Sequence, residues 1–338
     1  MSTMSQAAPS PSPSPSRPRN VKLRRFAARQ GWTVGVLGIL IALLIVEANV
    51  APNFTSFDVQ SLVIAGMPLA FAAMAQAVVV ISRGVDLSVG SVMALTNVIA
   101  ARLMEHHSMG TALGISLLVL VIGMVIGTLT GVAVVTTGVP DIIVTLALGF
   151  VWAGVALVVL PTPGGGSPPS YQTLSSGSSL WQWTPNGLLV LAAAYALVWV
   201  PLRSRRLGLA IYAVGSDRDA AYLSGVRVPR TRILAYTVGG LFAALGGLAL
   251  TSTTSIGSPL SGNFYTLTSV AAVVIGGVSL AGGKGGLVGP MLAAFILSAA
   301  VTVLTFLGAD ANYGQVIQGA LIVAMVMLGG LLLRRREA

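Results

Sequence analysis

Long, uninterrupted runs of apolar residues make up most of the chain, and short polar segments separate them. A transmembrane helix needs about 20 consecutive, predominantly apolar residues. By that rule we predict about ten spans. They are residues 31–50, 61–82, 87–104, 112–136, 140–160, 186–202, 233–253, 265–281, 287–307 and 313–333. Because a transmembrane β-barrel would show segments of roughly 10 alternating residues instead, the pattern predicts an all-α polytopic membrane protein.

The composition agrees with a membrane protein. Of the 338 residues, 55% are apolar and 8% are charged, and the mean hydropathy is +0.88. A soluble globular domain carries about 25% charged residues, so the composition disfavours a soluble enzyme, a disordered protein and a nucleic-acid binder. The absence of cysteine from the sequence excludes disulfide scaffolds, thiolate metal sites and cysteine nucleophiles.

The placement of positive charge predicts the orientation in the membrane. The net charge is +10, and 16 of the 19 basic residues fall in three clusters, at 17–29, 203–232 and 334–336. Cytoplasmic loops carry an excess of Lys and Arg beside membrane spans. If the N-terminus is inside and ten spans follow, 18 of the 19 basic residues lie on the inner side and only Arg102 lies near the outer side. We therefore predict that both termini are cytoplasmic.

The two ends of the chain differ from its apolar body. Residues 1–20 are rich in Pro and Ser and cannot bury enough apolar surface to offset the entropy of ordering. We predict a disordered, basic cytoplasmic tail over 1–30, a transmembrane domain over 31–333 and a basic cytoplasmic tail over 334–338. The first span, 31–50, is too long for the apolar region of a typical signal peptide, so we expect it to stay uncleaved.

The sequence offers no candidate catalytic or metal site, and it predicts no cofactor. The segment GGKGG at Gly282–Gly286 fails the phosphate-loop template, because Val278 replaces the first glycine and Gly285 follows the lysine. We interpret it as a tight inner turn between closely packed spans. His106 and His107 are the only histidines, and adjacent residues do not share a helix face, whereas zinc usually needs three or four protein ligands.

One polar feature follows the second predicted span. The segment GVDLSVGSVMALTNVIA at Gly84–Ala100 combines glycines that permit a sharp turn with several polar side chains. These are Asp86, Ser88, Ser91, Thr96 and Asn97. Such groups face the interior of a bundle or a wet cavity, but capping by the first two together with small-residue packing explains them equally well. A related element, GVSLAGG, recurs at Gly277–Gly283 and hints at an internal repeat.

Two loops are candidates for contact with partners. The coupling loop, residues 203–232, is the only substantial loop on the predicted inner side. In it, Asp217 and Asp219 suit the first turn of a short helix and Gly225 suits its end. Such a helix can transmit motion from a soluble partner; the alternative is a solvated basic loop. On the outer side, 161–185 is either a flexible loop with interfacial Trp residues or a contact for an extracytoplasmic partner.

Three segments together resemble a known family. They are GVDLSVGSVMAL at Gly84–Leu95, VGSDRDAAYLSGV at Val214–Val226 and SVAAVVIGGVSLAGGKGGLVGP at Ser269–Pro290, and they occur in the family's order. From about Val36 to Leu333, the chain is similar to permease subunits of ribose- and xylose-type ATP-binding-cassette importers, which are also similar to branched-chain amino-acid permeases. The resemblance implies a multi-pass protein of the bacterial cytoplasmic (inner) membrane.

The resemblance also implies partners. The permease would form a path for a sugar that an extracytoplasmic binding protein delivers, and a separate ATPase subunit would drive transport. A second permease subunit, expected to be an identical copy, would complete the path within the membrane lipid, and no nucleic acid would take part. The permease itself would not be an enzyme, because ATP hydrolysis belongs to the partner.

The resemblance assigns roles to individual residues. Gly215, Ala220, Ala221 and Gly225 match the family's coupling motif, which docks on the ATPase. The family commonly has Asn where Asp217 stands and Glu where Asp219 stands, so the polar character of both positions is kept. We further expect a small set of polar residues to line the translocation path. These are Gln76, Asp86, Ser88, Ser91, Asn97 and Thr268.

A self-sufficient secondary carrier or facilitator for a small polar solute is the alternative function. Ion-driven carriers usually have Asp, Glu or Arg deep within their spans. In this chain the candidates lie near the predicted ends of spans, which disfavours ion coupling but not facilitated diffusion. These candidates are Glu47, Arg83, Asp86, Arg102 and Asp141.

Overall fold

A computed structural model describes residues 21–51 and 53–308, with side chains from residue 31 onward, and four isolated positions between 316 and 323. The predicted terminal segments at 1–20 and 334–338, and most of the predicted span at 313–333, lie outside the described residues. The first helix begins at residue 21 and therefore extends into the segment that we predicted as a tail.

The described residues form thirteen α-helices. They are α1 (Val21–Val50), α2 (Ser56–Ile81), α3 (Val89–Met104), α4 (Met109–Thr137), α5 (Asp141–Val159), α6 (Pro169–Ser176), α7 (Asn186–Ala194), α8 (Val200–Ser204), α9 (Arg206–Ser216), α10 (Arg218–Leu223), α11 (Val228–Thr254), α12 (Asn263–Ile275) and α13 (Val288–Phe306). A π-helical segment, Tyr195–Trp199, joins α7 to α8. An isolated antiparallel β-bridge pairs Gly164 with Gly257.

Seven helical segments in the described part of the chain are long and apolar enough to cross a membrane. They are Gly31–Val50, Ser56–Ile81, Met109–Thr137, Asp141–Val159, Asn186–Ser204, Val228–Thr254 and Val288–Phe306. The all-α class is confirmed, but the spans predicted at 87–104 and 265–281 are shorter helices, α3 with 16 residues and α12 with 13. At 1.5 Å per residue they extend about 24 and 20 Å, less than the roughly 30 Å of a bilayer's hydrocarbon core.

Two glycine turns limit these short helices. The first glycine turn, residues 82–88, leads into α3, and the second glycine turn, residues 276–287, follows α12. Arg83, just after α2, has φ +63°, and Gly277, just after α12, has φ +80°; the GGKGG segment further along the second turn has φ +85° at Gly282 and +69° at Gly283. Left-handed backbone of this kind ends a helix, so apolar sequence continues past the helix without extending it.

Helices α2 and α11 form the centre of the bundle. From Met67 to Ile81, every residue of α2 is buried. Helix α11 packs against α4 at glycines spaced four apart, since an added Cβ at Gly127 would lie 2.3 Å from the Tyr236 carbonyl oxygen and one at Gly240 would lie 2.2 Å from the Gly123 carbonyl oxygen. Small residues at this spacing allow backbones to approach closely, which is how helices associate in lipid.

The N-terminal ends of α3 and α12 meet inside the bundle. Gly90 and Gly262 are both buried, and an added Cβ at Gly262 would lie only 1.9 Å from the Gly90 carbonyl oxygen. The two short helices therefore touch backbone to backbone where each begins. Broken helices whose ends meet within the protein are a structural feature of many transporters.

Helix α1 is attached to the far end of α12. The indole nitrogen of Trp32 donates a hydrogen bond to the Ile275 carbonyl oxygen (2.8 Å), the last residue of α12. The ring lies so close to Gly277, φ +80°, that an added Cβ there would be 2.1 Å from Trp32 Cδ1. This contact fixes the beginning of the second glycine turn.

The 161–185 segment is not a loop throughout, because Pro169–Ser176 form α6. It contains α6, in which buried Tyr171 lies 3.0 Å, hydroxyl to hydroxyl, from Ser116 of α4. Trp183 stacks on Phe54 with ring centroids 6.3 Å apart, whereas Trp181 is exposed. The alternative prediction, contact with an outer partner, stays a prediction.

Candidate functional site

The predicted coupling loop contains two short helices, α9 and α10. Asp217 is the N-cap of α10, and its Oδ1 accepts hydrogen bonds from the backbone N–H groups of Asp219 (2.9 Å) and Ala220 (3.0 Å). At the other end Gly225 has φ +81°, its N–H donates to the Tyr222 carbonyl, and the next N–H donates to the Ala221 carbonyl. This is the Schellman motif that requires a left-handed residue, so the predicted short helix is confirmed.

The outward face of α10 combines polar and apolar side chains. Of the residues predicted for coupling, Asp217, Asp219, Ala220 and Gly225 are exposed. Beside them lie Tyr222, 71% exposed, and Leu223, 85% exposed, which sequence reasoning missed although an apolar pair in a basic loop is a usable signal. Open apolar side chains rimmed by charge are typical of a protein-binding surface.

A cleft adjoins this face and completes the surface. It measures about 370 Å³ and runs from Tyr222 to the first turn of α11. Its walls are Tyr222, Gly225, Val226, Arg227, Val228, Pro229 and Arg230. The outward surface of α10 thus offers a shallow recess with positive charge at its edge.

The inward face of α9 and α10 is packed against the bundle. Ala221 is buried, and Gly215 is in contact with backbone on two sides. An added Cβ at Gly215 would lie 1.8 Å from the Ile81 carbonyl oxygen and 2.6 Å from the Gly283 nitrogen. The six predicted coupling residues therefore divide into an exposed group and a packed group. Gly215 joins the helix pair to the end of α2, directly before the first glycine turn, and to the second glycine turn.

The first glycine turn contains two of the predicted path residues. Asp86 and Ser88 are buried, and Asp86 Oδ1 accepts hydrogen bonds from the Ser88 backbone N–H (2.8 Å) and hydroxyl (2.6 Å). Ser91 lies in the first turn of α3 and is partly exposed. The structure thus brings these three residues together, and Asp86 also stabilises the turn itself.

A buried network joins the first glycine turn to α5 and α11. Asp141 Oδ2 accepts hydrogen bonds from Arg232 and, at 3.0 Å, from the Tyr236 hydroxyl. Thr145 accepts from the Leu87 backbone N–H at 3.0 Å and donates to the Val85 carbonyl at 3.3 Å. No linear motif pairs residues that lie about ninety positions apart, so sequence reasoning missed this ion pair.

The other predicted path residues lie in different environments. Gln76 of α2 is fully buried, and neither its Nε2 nor its Oε1 has a hydrogen-bond partner among the described residues. Asn97 instead bonds to Thr251 Oγ1 (2.9 Å), the Ile256 carbonyl (3.2 Å) and the Ser258 N–H (2.9 Å), so its amide connects α3 to the α11–α12 loop. Thr268 bonds within α12.

Metal-binding chemistry is not seen in the described ranges. Among those residues, no group of three or more His, Cys, Asp or Glu side chains lies close enough to hold a metal ion. The imidazole of His107 instead lies 2.8 Å from the Glu105 carbonyl oxygen.

Comparisons with known proteins match most of the chain. The family described as "branched-chain amino acid transport system / permease component" matches residues 59–326. The ribose import permease of Escherichia coli (strain K12) is 31% identical over 298 residues, 86% of this chain and 91% of the relative. The ribose import permease of Haemophilus influenzae is 32% identical, over 91% of this chain and 95% of the relative.

A third relative is named for another sugar. The fructose import permease of Rhizobium meliloti is 29% identical over 319 residues, 91% of this chain and 87% of the relative. No solved structure matches the chain.

Proposed function

Because the chain belongs to the family of branched-chain amino acid transport system permease components, we propose that it forms the membrane path for a monosaccharide in a bacterial ATP-binding-cassette importer. It is a permease subunit of such an importer, and therefore a transport component and not an enzyme. The sugar is proposed because relatives of similar length are named ribose and fructose import permeases.

The exposed face of α10 is the observation that supports the assembly. Tyr222 and Leu223 point away from the bundle. Gly215 packs the same helix pair against the end of α2 and the second glycine turn. A partner ATPase would bind this face from the cytoplasm, with both termini of the permease on the same side. An extracytoplasmic binding protein would deliver the sugar to the opposite face, and a second copy of the chain would complete the path in the inner membrane.

The broken spans suggest how the path changes access. Transporters commonly place the substrate where discontinuous helices end near the middle of the membrane. Here the N-terminal ends of α3 and α12 meet at Gly90 and Gly262, and Asp86, Ser88 and Ser91 lie at or just before the beginning of α3. The sequence encodes no nucleotide site, so the cycle depends on different contacts with the ATP-bound and the empty ATPase.

The Gly225→Asp variant tests the docking face. We expect it to lose the ATPase during purification from the membrane in mild detergent, because the carboxylate projects into the docking surface. Folding should be little affected, since an added Cβ meets nothing within 4 Å and Asp tolerates a left-handed backbone better than most residues. Mass spectrometry of the co-purifying proteins gives the measurement.

Gly308→Asp is the matched control for that variant. Gly308 also has a left-handed backbone, φ +87°, is exposed, and leaves an added Cβ without neighbours within 4 Å. It follows α13, a helix of 19 residues, and so lies about 28 Å along that helix from the second glycine turn, against which α9 packs. It should retain the ATPase. If both variants bind the ATPase like the unaltered chain, or if the unaltered chain binds none, the proposed docking face is wrong.

Uptake in proteoliposomes tests the substrate and the energy source. With the ATPase, the binding protein and enclosed ATP, we expect uptake of labelled ribose that unlabelled fructose reduces and leucine does not. A secondary carrier would move ribose without ATP and would respond to a proton or sodium gradient. Uptake that is independent of ATP would therefore favour the alternative function, and uptake of labelled leucine without any uptake of labelled ribose would exclude a sugar.

A further inference from the structure

We propose that Arg218 and Tyr212 are positioning residues that carry a displacement of the α9–α10 unit, Arg206–Leu223, to both glycine turns and so to the two short helices. The proposal rests on the function above, in which an ATPase binds the exposed face of α10. Neither residue belongs to the coupling positions that the family resemblance supplied. Both instead connect the helix pair to the bundle through side-chain hydrogen bonds.

Arg218 connects α10 to the first glycine turn. Its Nη2 donates a hydrogen bond to the Arg83 carbonyl oxygen at 3.0 Å. Arg83 has φ +63°, an uncommon conformation for a residue other than glycine, so this carbonyl has a fixed and unusual direction. Hydrogen bonds from a charged donor are stronger than neutral ones, and the partial burial of the guanidinium strengthens the contact further. The first residue of α10 is therefore tied to the turn that leads into α3.

Tyr212 connects α9 to the second glycine turn. Its hydroxyl donates to the Gly285 carbonyl oxygen at 2.8 Å. Burial raises the pKa of this hydroxyl, so it stays protonated and available as a donor. This attachment comes from the other helix of the pair, six residues before Arg218. One unit of fewer than twenty residues thus holds both turns.

The two turns are also joined to each other. An added Cβ at Gly282 would lie 3.1 Å from Arg83 Cα in the first turn and 2.6 Å from the Gly215 carbonyl oxygen. The Gly283 N–H also donates to the carbonyl oxygen of Ile81, the last residue of α2, at 2.9 Å. Three segments that are far apart in sequence therefore meet backbone to backbone: residues 81–83, Gly215 and residues 282–283. A displacement of α9 and α10 cannot move one turn and leave the other in place without breaking these contacts.

The short helices carry the displacement into the bundle. The first turn leads into the N-terminal end of α3, and the second turn begins at the C-terminal end of α12. Their N-terminal ends are in backbone contact at Gly90 and Gly262. A helix transmits an axial shift along its length because its backbone hydrogen bonds keep it rigid. A displacement of α9 and α10 therefore changes the contact between the N-terminal ends of α3 and α12.

A fluorescent label on the second glycine turn tests this connection. The chain has no cysteine, and Leu280 in that turn is exposed, so Leu280→Cys gives a single labelling site in the full permease–ATPase complex. In that background we compare Tyr212→Phe, Arg218→Met and the double variant. The measurements are ATPase co-purification, ATP hydrolysis and the fluorescence change on adding ATP.

The double variant should keep the ATPase and its hydrolysis but lose most of the fluorescence response. Loss of a hydrogen bond to a charged group shifts an equilibrium by about tenfold, so we expect the response to fall by about that factor or more. Arg218→Lys should recover part of it, because one donor is restored. Arg205→Met and Arg206→Met are the controls, since both side chains are exposed and neither bonds to another group among the described residues.

Each other outcome has a distinct meaning. A double variant with the full fluorescence response overturns the proposal, as does an equal loss in the control variants. Loss of the ATPase from the double variant also overturns it, because Arg218 and Tyr212 would then serve docking. If the unaltered chain fails to bind the ATPase, the proposed function itself fails, which the co-purification reveals independently of the label.

Discussion

Replacing Gly215 by alanine should destabilise the permease and reduce ATP-driven transport to less than about a tenth, the largest effect that we expect from removing or adding a single methyl group. The new Cβ would lie 1.8 Å from the Ile81 carbonyl oxygen and 2.6 Å from the Gly283 nitrogen. Both are backbone atoms, so no change of rotamer relieves the clash. The α9–α10 unit must separate from the end of α2 and from the second glycine turn.

The size of the effect follows from two contributions. Overpacking costs about 1–3 kcal/mol, and loss of the hydrogen bond between Gly283 N–H and the Ile81 carbonyl costs about 1 kcal/mol more. We therefore expect a loss of about 3 kcal/mol in the free energy of unfolding, measured in detergent micelles alongside ribose uptake. We expect a larger effect on transport than on stability, because the contact at Gly215 positions the helix pair relative to the glycine turns.

Gly114→Ala is the control for this substitution. Gly114 lies within α4, and an added Cβ there meets nothing within 4 Å. Alanine is favoured over glycine inside a helix by about 0.5–1 kcal/mol, so this variant should be unchanged or slightly more stable. A Gly215→Ala protein that unfolds and transports like the unaltered chain would show that the close contact at Gly215 does not exist.

The sequence predicted the helical class because hydropathy alone determines it, but hydropathy does not mark where a helix ends. The apolar run predicted as a span over 265–281 continues past Ile275, the last residue of α12. Gly277 then adopts φ +80°, and the indole of Trp32 occupies the space beside it. Backbone conformation and a contact from α1, more than two hundred residues away, end this helix.

The opposite error occurs at the start of α11. The predicted span begins at residue 233, yet the helix begins at Val228 and includes Arg230 and Arg232. A hydropathy rule excludes basic residues, because an unpaired charge is costly away from water. Arg232 is tolerated because Asp141 neutralises it, and that partner is known only once α5 and α11 are packed together.

The candidate site shows the same division. The motif around Asp217 and Gly225 predicted α10 and its caps, because caps depend on residues that are close in sequence. The role of Gly215 depends on Ile81 and Gly283, which come from two other segments. Sequence therefore indicated the short helix and its capping residues, but it did not separate them from Gly215, which packs the helix pair against the bundle.

Breaking the ion pair between Arg232 and Asp141 should be the most destabilising change of charge in the described part of the chain. Arg232 is only 8% exposed, and Asp141 also accepts the hydroxyl hydrogen of Tyr236. Removing one partner of a buried pair leaves an uncompensated charge and costs about 3–5 kcal/mol. We expect a loss of that size in Asp141→Asn and in Arg232→Met, together with a loosened first glycine turn.

A double-mutant cycle separates the pair itself from the cost of either residue alone. In the protein with both Asp141→Asn and Arg232→Met no charge is left unpaired, so it should be more stable than Arg232→Met, with a coupling energy of about 2 kcal/mol or more. Glu105→Gln is the control: its partner Arg102 is 3.9 Å away and exposed, and such surface pairs contribute about 0.2–1 kcal/mol. If the losses from the two single variants simply add, the two residues do not interact, and the first glycine turn must be held by Thr145 and Asp86 instead.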